Sequence, residues 1–187
     1  MDDVVLDYPI HLIRCLTLRN GAPVLVRPIL ASDGPAVQAF FRGLSAHTRY
    51  LRFFMTLPEL TPALLAHIVA VDYRRRMTFA AFARADDGRR LIGVAQYVAA
   101  DESPRERAEV ALVLDDRWQG RGLGRLLLLL LADAASDAGV VEFGADVLAE
   151  NRAMLSLARA SGFAIEPHAD GAMFRRLRMR LAPAAVA

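Results

Sequence analysis

Residues 115–131 read DDRWQGRGLGRLLLLLL: Gly120, Gly122 and Gly124 alternate with other residues, Arg121 and Arg125 flank them, and six leucines follow. Glycines at this density let backbone N–H groups converge without Cβ obstruction. A helix beginning at the leucines adds its own unpaired N–H groups and the positive end of its dipole, so the turn suits an anion such as phosphate. Two common phosphate patterns fail. The GxxxxGK[ST] loop needs a lysine, and all 23 basic residues of this 187-residue chain are arginine. The GxGxxG fingerprint needs glycine at 125, where Arg125 stands, and it should follow the first strand of a βαβ unit.

Outward from this turn, the hydrophobic patterns predict an α/β chain. HLIRCLTL and PVLVRPIL flank Arg19-Asn20-Gly21-Ala22, and Asn-Gly supplies the positive φ angles of a tight hairpin turn. Ser32-Asp33-Gly34-Pro35 offers a helix cap with proline in the first turn, before Val37, Phe40, Phe41 and Leu44 at helical spacing. Ser45 starts a second helical piece and Thr61-Pro62 a third. MTFAAFAR, LIGVAQYVAA and AEVALVL then read as three meandering strands. After the glycine turn come a helix to about Asp137, a strand VVEFGADVL, a helix from Asn151 to Ser161 and a final hairpin. A mostly antiparallel, mixed sheet with flanking helices results. The one helical crossover makes AEVALVL and VVEFGADVL parallel if they are neighbours.

Gln119-Gly120-Arg121-Gly122-Leu123-Gly124 resembles the Q/R-x-x-G-x-G/A pyrophosphate turn of the GCN5-related N-acetyltransferase (GNAT) superfamily. The hydrophobic strand before it, the order of elements, and the later NRAMLSLARASGF are similar to that family as well. The resemblance covers roughly residues 22 to 181. It divides the chain into residues 1–21, an extension with the first hairpin strand, and residues 22–187, the acyltransferase domain. The GNAT fold it implies is a twisted, mostly antiparallel sheet of about seven strands with one splayed parallel pair. The cosubstrate it implies is acetyl-CoA, with no metal. Leu112, Val113 and Leu114 would present a strand edge to the pantetheine arm, and Asn151 would bond the arm from the next helix. Gln119, Gly120, Arg121, Gly122, Leu123, Gly124 and Arg125 would hold the pyrophosphate.

Acyl transfer to an amine requires the free amine, yet a lysine ammonium has a pKa near 10.4, so a group must accept its proton. Glu109 is the candidate. It precedes Leu114 by five residues, about 17 Å of extended strand, comparable to the reach of a pantetheine arm. Glu102 and Glu106 occupy a polar loop, His47 and His67 lie on helices near the acceptor side, and Asp115 and Asp116 suit capping better than chemistry. Many family members carry a tyrosine seven residues after the equivalent of Asn151 that protonates the leaving thiolate. Here that position is Ala158, so no general acid is named.

TLRNGAPVLVRPI, LSAHTRYLRFF, VDY at 71–73, AEVALVL and DDRWQGRGLG together resemble the bacterial Pat-type protein lysine acetyltransferases. That group acylates the active-site lysine of AMP-forming acyl-CoA synthetases, which makes such a synthetase the expected protein partner, with Glu109 in the base position. A GNAT acting on a small amine and a non-catalytic acyl-CoA-binding module stay open beside it. Ser45 to Arg76, carrying Arg49, Arg52 and Arg74-Arg75-Arg76, is the expected docking face. The sequence includes neither the ligase-like nor the nucleotide-binding domain often joined to this group, which leaves its control open.

Composition narrows the class further. With 55% apolar and 24% charged residues the chain is globular rather than disordered, and a net charge of +2 does not imply nucleic-acid binding. Cys15 is the single cysteine, which excludes an intrachain disulfide and a cysteine-based zinc cluster. The acidic MDDVVLDYPI has no signal-sequence character, and the leucine run falls far short of a membrane span. A cytoplasmic monomer or weak dimer is expected, with the leucine-rich helix, apolar all round, buried against the sheet.

Overall fold

Leu91–Ala99, LIGVAQYVA, is apolar at nearly every position, and such a strand has to be covered on both faces. It lies mid-sheet. The computed structural model describes residues 8–86, 88–99 and 107–182. Among these residues the strands are β1 (Arg14–Thr17), β2 (Pro23–Pro28), β3 (Arg76–Ala85), β4 (Gly88–Ala99), β5 (Arg107–Leu114), β6 (Glu142–Leu148), β7 (Ala164–Pro167) and β8 (Phe174–Arg180). The helices are α1 (Gly34–Gly43), α2 (Ala46–Phe53), α3 (Pro62–Val69), α4 (Leu123–Asp137) and α5 (Arg152–Ala160). One sheet runs β1-β2-β3-β4-β5-β6-β8-β7, eight strands where about seven were expected. The outermost strands β1 and β7 have four residues each, too short for a clear alternating pattern.

The mixed, mostly antiparallel topology agrees with the sequence expectation, and β5–β6 is its parallel pair. On one face, α4 and α5 pack Leu127, Leu131 and Ala158 against Phe79, Tyr97 and Phe143. On the other, α1 and α3 pack Phe40, Phe41 and Ile68 against Phe82, Leu91 and Val94. Both faces of β4 are thereby dry, as its composition requires.

Three local expectations are corrected. In the β1–β2 hairpin only Gly21 has positive φ (81°), and the Leu18 N–H bonds the Ala22 carbonyl. The connection is thus a three-residue loop closed by one left-handed glycine rather than a two-residue Asn-Gly turn. Asp33 precedes α1 but caps it with no side-chain bond. Its carboxylate instead takes both terminal nitrogens of Arg27 at 2.7 Å and the Leu30 N–H. The leucine-rich α4 is not buried all round: Leu123, Leu127, Leu128 and Leu131 face the core, while Leu129 is 49% exposed. Helical geometry turns every third or fourth position outward even in an unbroken leucine run.

The parallel pair is short. Arg107, Ala108 and Glu109 pair with Glu142, Phe143 and Gly144, and there the ladder ends although β5 continues to Leu114 and β6 to Leu148. The sheet therefore opens between β5 and β6 immediately beyond Glu109.

Candidate active site

The walls of this opening follow from strand alternation. The Asp115 N–H bonds the Ile92 carbonyl on β4. Stepping back along the antiparallel ladder, the peptide groups of Val113, Ala111 and Glu109 also point to β4, and those of Leu114, Leu112 and Val110 point into the opening. Leu112 and Leu114 thus present backbone to the splay, whereas Val113 presents only its side chain to the α1–α3 face. The Gln119 amide donates to the Leu114 carbonyl at 3.3 Å, tying the turn to the strand end.

At that end Gly120 (φ 70°) and Gly122 (φ 88°) are left-handed, and no atom lies within 4 Å of where a Cβ would stand on either. Open space therefore faces the backbone of both residues. Gly122 leads directly into α4, whose first-turn N–H groups share that space. Gly124 serves packing instead: a Cβ there would lie 3.0 Å from Leu157 and 3.3 Å from Leu112, so its absence lets α4 sit close to both β5 and α5. Leu123 is fully buried beneath the turn. Arg121 and Arg125 are exposed, and Arg121 lies over the Trp118 ring at 5.2 Å. Across the opening, the Asn151 Oδ1 accepts the Met154 N–H at 3.0 Å and caps α5. Ala158 is fully buried in α5 against the core.

Both acidic residues before the turn are structural. Asp115 is buried, bonds the Arg117 backbone and side chain, and lies 3.2 Å from Arg90. Its bond from the Arg117 guanidinium outweighs burial and lowers its pKa. Asp116 accepts from the Ser45 N–H at 3.0 Å, the Ser45 hydroxyl at 2.8 Å and the Thr48 hydroxyl at 2.6 Å. Burial opposes its ionisation, but these donors overcome that and its pKa falls. The start of α2 is thereby clamped to the glycine turn.

With Asp33 and Asp72, whose pKa values are also lowered, these carboxylates make an acid-sensitive set. For Asp33 and Asp72 burial again opposes ionisation, and it is outweighed by the Arg27 guanidinium and by the backbone N–H groups of Arg74, Arg75 and Arg76 respectively. A carboxylate depressed in the folded state adds stability above its unfolded pKa of about 3.9 and loses it as pH falls through the folded value. The melting temperature is expected to drop below about pH 4, and Asp115→Asn to flatten part of that drop. An unchanged profile in Asp115→Asn would remove Asp115 from the set.

At the other end of β5, a cleft of about 560 Å³ lies between α2–α3 and β5-β6-β8, lined by Arg52, His67, Gln96, Glu109, Asp146 and Arg176 among others. Glu109 is exposed at its floor and, among the described residues, its carboxylate makes no hydrogen bond or ion pair. Burial lowers the Arg52 pKa, while the charge of Glu109 pulls it back up. The His67 pKa is lowered by burial and then by Arg76 and Arg52, with Glu109 opposing, so the neutral imidazole is favoured. Asp146 pairs with Arg176 at 2.7 Å and with His168 at 3.2 Å on the far wall. Phe54, at a left-handed φ of 59°, packs edge-on against Phe174 at 5.2 Å and joins the two walls.

The cleft therefore gathers Glu109, His67 and Arg52, but not His47, which is exposed on α2 outside it. Glu102 and Glu106 lie outside the described residues. Of the other arginines on the expected docking face, Arg49 is bound to the Pro58 carbonyl at 2.8 Å. The backbone of Arg74, Arg75 and Arg76 is gathered by the single Asp72 Oδ1. Gln96 was not anticipated, although a lone amide in an otherwise apolar strand was a visible signal.

The family model described as "Acetyltransferase (GNAT) domain" matches residues 24–164. The chain is 35% identical over 147 residues to "Acetyltransferase PA5475" of Pseudomonas aeruginosa, covering 79% of this chain and 78% of that protein. It is 33% identical over 140 residues to "Acetyltransferase Pat" of Mycolicibacterium smegmatis, covering 73% of this chain and 40% of the longer relative. The solved GNAT domain of S. lividans PAT superposes with a TM-score of 0.85 at 28% identity, covering 94% of this chain and all of that one.

Proposed function

Because the chain belongs to the GNAT acetyltransferase family, we propose that it transfers the acetyl group of acetyl-CoA to the ε-amine of a lysine on a protein, an AMP-forming acyl-CoA synthetase. The likeness to two Pat-named proteins supports the protein-acceptor reading. The observation that carries the enzymatic reading is the linear arrangement along β5: an open glycine turn at Gly120–Gly122, a free strand edge at Leu112, and an unpaired carboxylate at Glu109.

The donor fits what is present. The N–H groups of the turn and of the first turn of α4 bind the pyrophosphate, with Arg121 and Arg125 at its rim. Backbone groups of Leu112 and Val110 pair with the amides of the pantetheine arm. Asn151, whose Oδ1 is committed to its cap, has its amide NH₂ to donate from the opposite side. The thioester supplies an activated acyl carbon and a thiolate leaving group. Glu109 accepts the proton of the acceptor ammonium, directly or through water. The Arg52 charge in the same cleft disfavours the ammonium form of a bound acceptor, which promotes formation of the free amine. With Ala158 buried in the core, solvent protonates the departing thiolate, whose pKa near 8.5 makes this undemanding.

The experiment is incubation with labelled acetyl-CoA and a panel of purified acyl-CoA synthetases and small amines. Label on a synthetase lysine is expected. Label confined to small amines would overturn the acceptor assignment, and label on nothing would overturn the catalytic reading.

A further inference from the structure

Gln96 is 5% exposed and lines the cleft, and its amide, which forms no hydrogen bond among the described residues, is not sealed from that cleft. Across residues 91–99 the strand is otherwise Leu, Ile, Gly, Val, Ala and Tyr, so the apolar packing of the sheet gives no reason to keep an amide there. Its position is specific. Gln96 on β4 stands opposite Ala111 on β5, and Val98 stands opposite Glu109. Strand alternation therefore puts the side chains of Gln96, Ala111 and Glu109 on one face, with Gln96 two residue pairs further towards the splayed end. The same residue lines both the acceptor cleft and a small apolar pocket of about 20 Å³ formed with Phe41, Phe53, Ile68 and Val113. The amide thus stands where the polar cleft gives way to an apolar floor, within the region an amine must cross to reach the opening between β5 and β6.

We propose that Gln96 is an acceptor-binding residue whose Oε1 takes a hydrogen bond from the attacking amine while Glu109 takes its proton. The inference rests on the acyl-transfer reading above. A primary amine has N–H groups for both oxygens and still presents its lone pair to the acyl carbon. Once Glu109 has passed the ammonium proton to solvent, the N–C bond forms as the C–S bond breaks, a second proton goes from nitrogen to Glu109, and the electron pair leaves on sulfur. A secondary amine or a hydroxyl nucleophile lacks the second hydrogen, so the pair Gln96–Glu109 selects primary amines.

Gln96→Met keeps the length of the side chain and removes the amide. Because that amide bonds nothing in the free protein, the melting temperature of the variant is expected to stay level or rise, and acetyl-CoA affinity measured by calorimetry to stay unchanged. The acceptor kcat/KM is expected to fall about tenfold, the worth of one hydrogen bond to the reacting nitrogen. Gln96→Glu, which retains an accepting oxygen at the same reach, is expected to keep more activity than Gln96→Met. Wild-type protein active on an amine with Gln96→Met within about twofold of it would overturn the role of Gln96 alone. Wild-type protein inactive on every amine would instead overturn the acyl-transfer reading. A fall in melting temperature together with activity would show Gln96 to be structural, against the proposal.

Discussion

Glu109→Gln is expected to lower kcat by about 10²- to 10⁴-fold, the usual worth of a positioned general base. The substitution keeps the size of the side chain, and the exposed carboxylate it replaces has no hydrogen bond or ion pair to lose among the described residues. Surface changes of this kind move stability by about ±0.5 kcal/mol, so the melting temperature should stay put and the loss cannot be charged to unfolding. Acetyl-CoA affinity should also hold, because the glycine turn lies at the opposite end of β5. Stopped assays at saturating donor and acceptor across a pH range test the assignment. The limb of the wild-type profile that reports protonation of the base should vanish in the variant. Turnover within a few-fold of wild type would remove Glu109 from the role and direct attention to His67, another proton acceptor in the cleft.

Gly122→Val is expected to weaken acetyl-CoA binding by about 10- to 100-fold, the loss of one or two hydrogen bonds to a charged group. The residue has φ 88°, a conformation that costs an L-residue about 1–2 kcal/mol and that β-branched residues scarcely adopt. Among the described residues no atom beyond its chain neighbours lies within 4 Å of its missing Cβ, so a valine meets no neighbour there and projects into the space proposed for the pyrophosphate. Backbone strain and steric exclusion can be separated by a control. Gly139 has φ 84°, has equally empty surroundings, and lies just beyond the other end of α4. Gly139→Val should lower the melting temperature by a similar few degrees, about 2–4 °C per kcal/mol in a chain of this size. It should bind acetyl-CoA like wild type. Equal donor affinity in both variants would mean that the turn does not hold the pyrophosphate.

The fold was legible wherever composition and period agreed. LIGVAQYVAA reads as a strand and Leu91–Ala99 is one, and Gly120, Gly122 and Gly124 read as a turn that leads into a helix, which α4 bears out. The sequence could not show how far the parallel pair extends. That depends on divergence of β6 from β5 after Gly144, and no residue type marks it. Gln119 illustrates a second limit: its letter fits the phosphate motif, but its amide is occupied by the Leu114 carbonyl. Asp116 is a third, since its partners Ser45 and Thr48 lie about seventy residues away in sequence and a capping role was the nearest local explanation. Within the cleft, Glu109 was recognisable from its spacing along β5. Arg52 was expected on the docking face, but its place in the cleft with Glu109 was not visible, and Gln96 read as an irregularity in an apolar strand.

Among the described residues, the three residue pairs joining β5 to β6 are the only ladder between the five strands β1–β5 and the trio β6, β8 and β7. The sheet is in effect two panels stitched by a brief seam, with α4 and α5 laid across the back. Continuing that seam to Leu114 would add regular backbone bonds and strengthen the molecule, and on the proposed function it would also close the groove to the donor. Under that proposal, stability and turnover are set against each other at one place in the fold, and a gain in toughness there would come at the expense of acyl transfer.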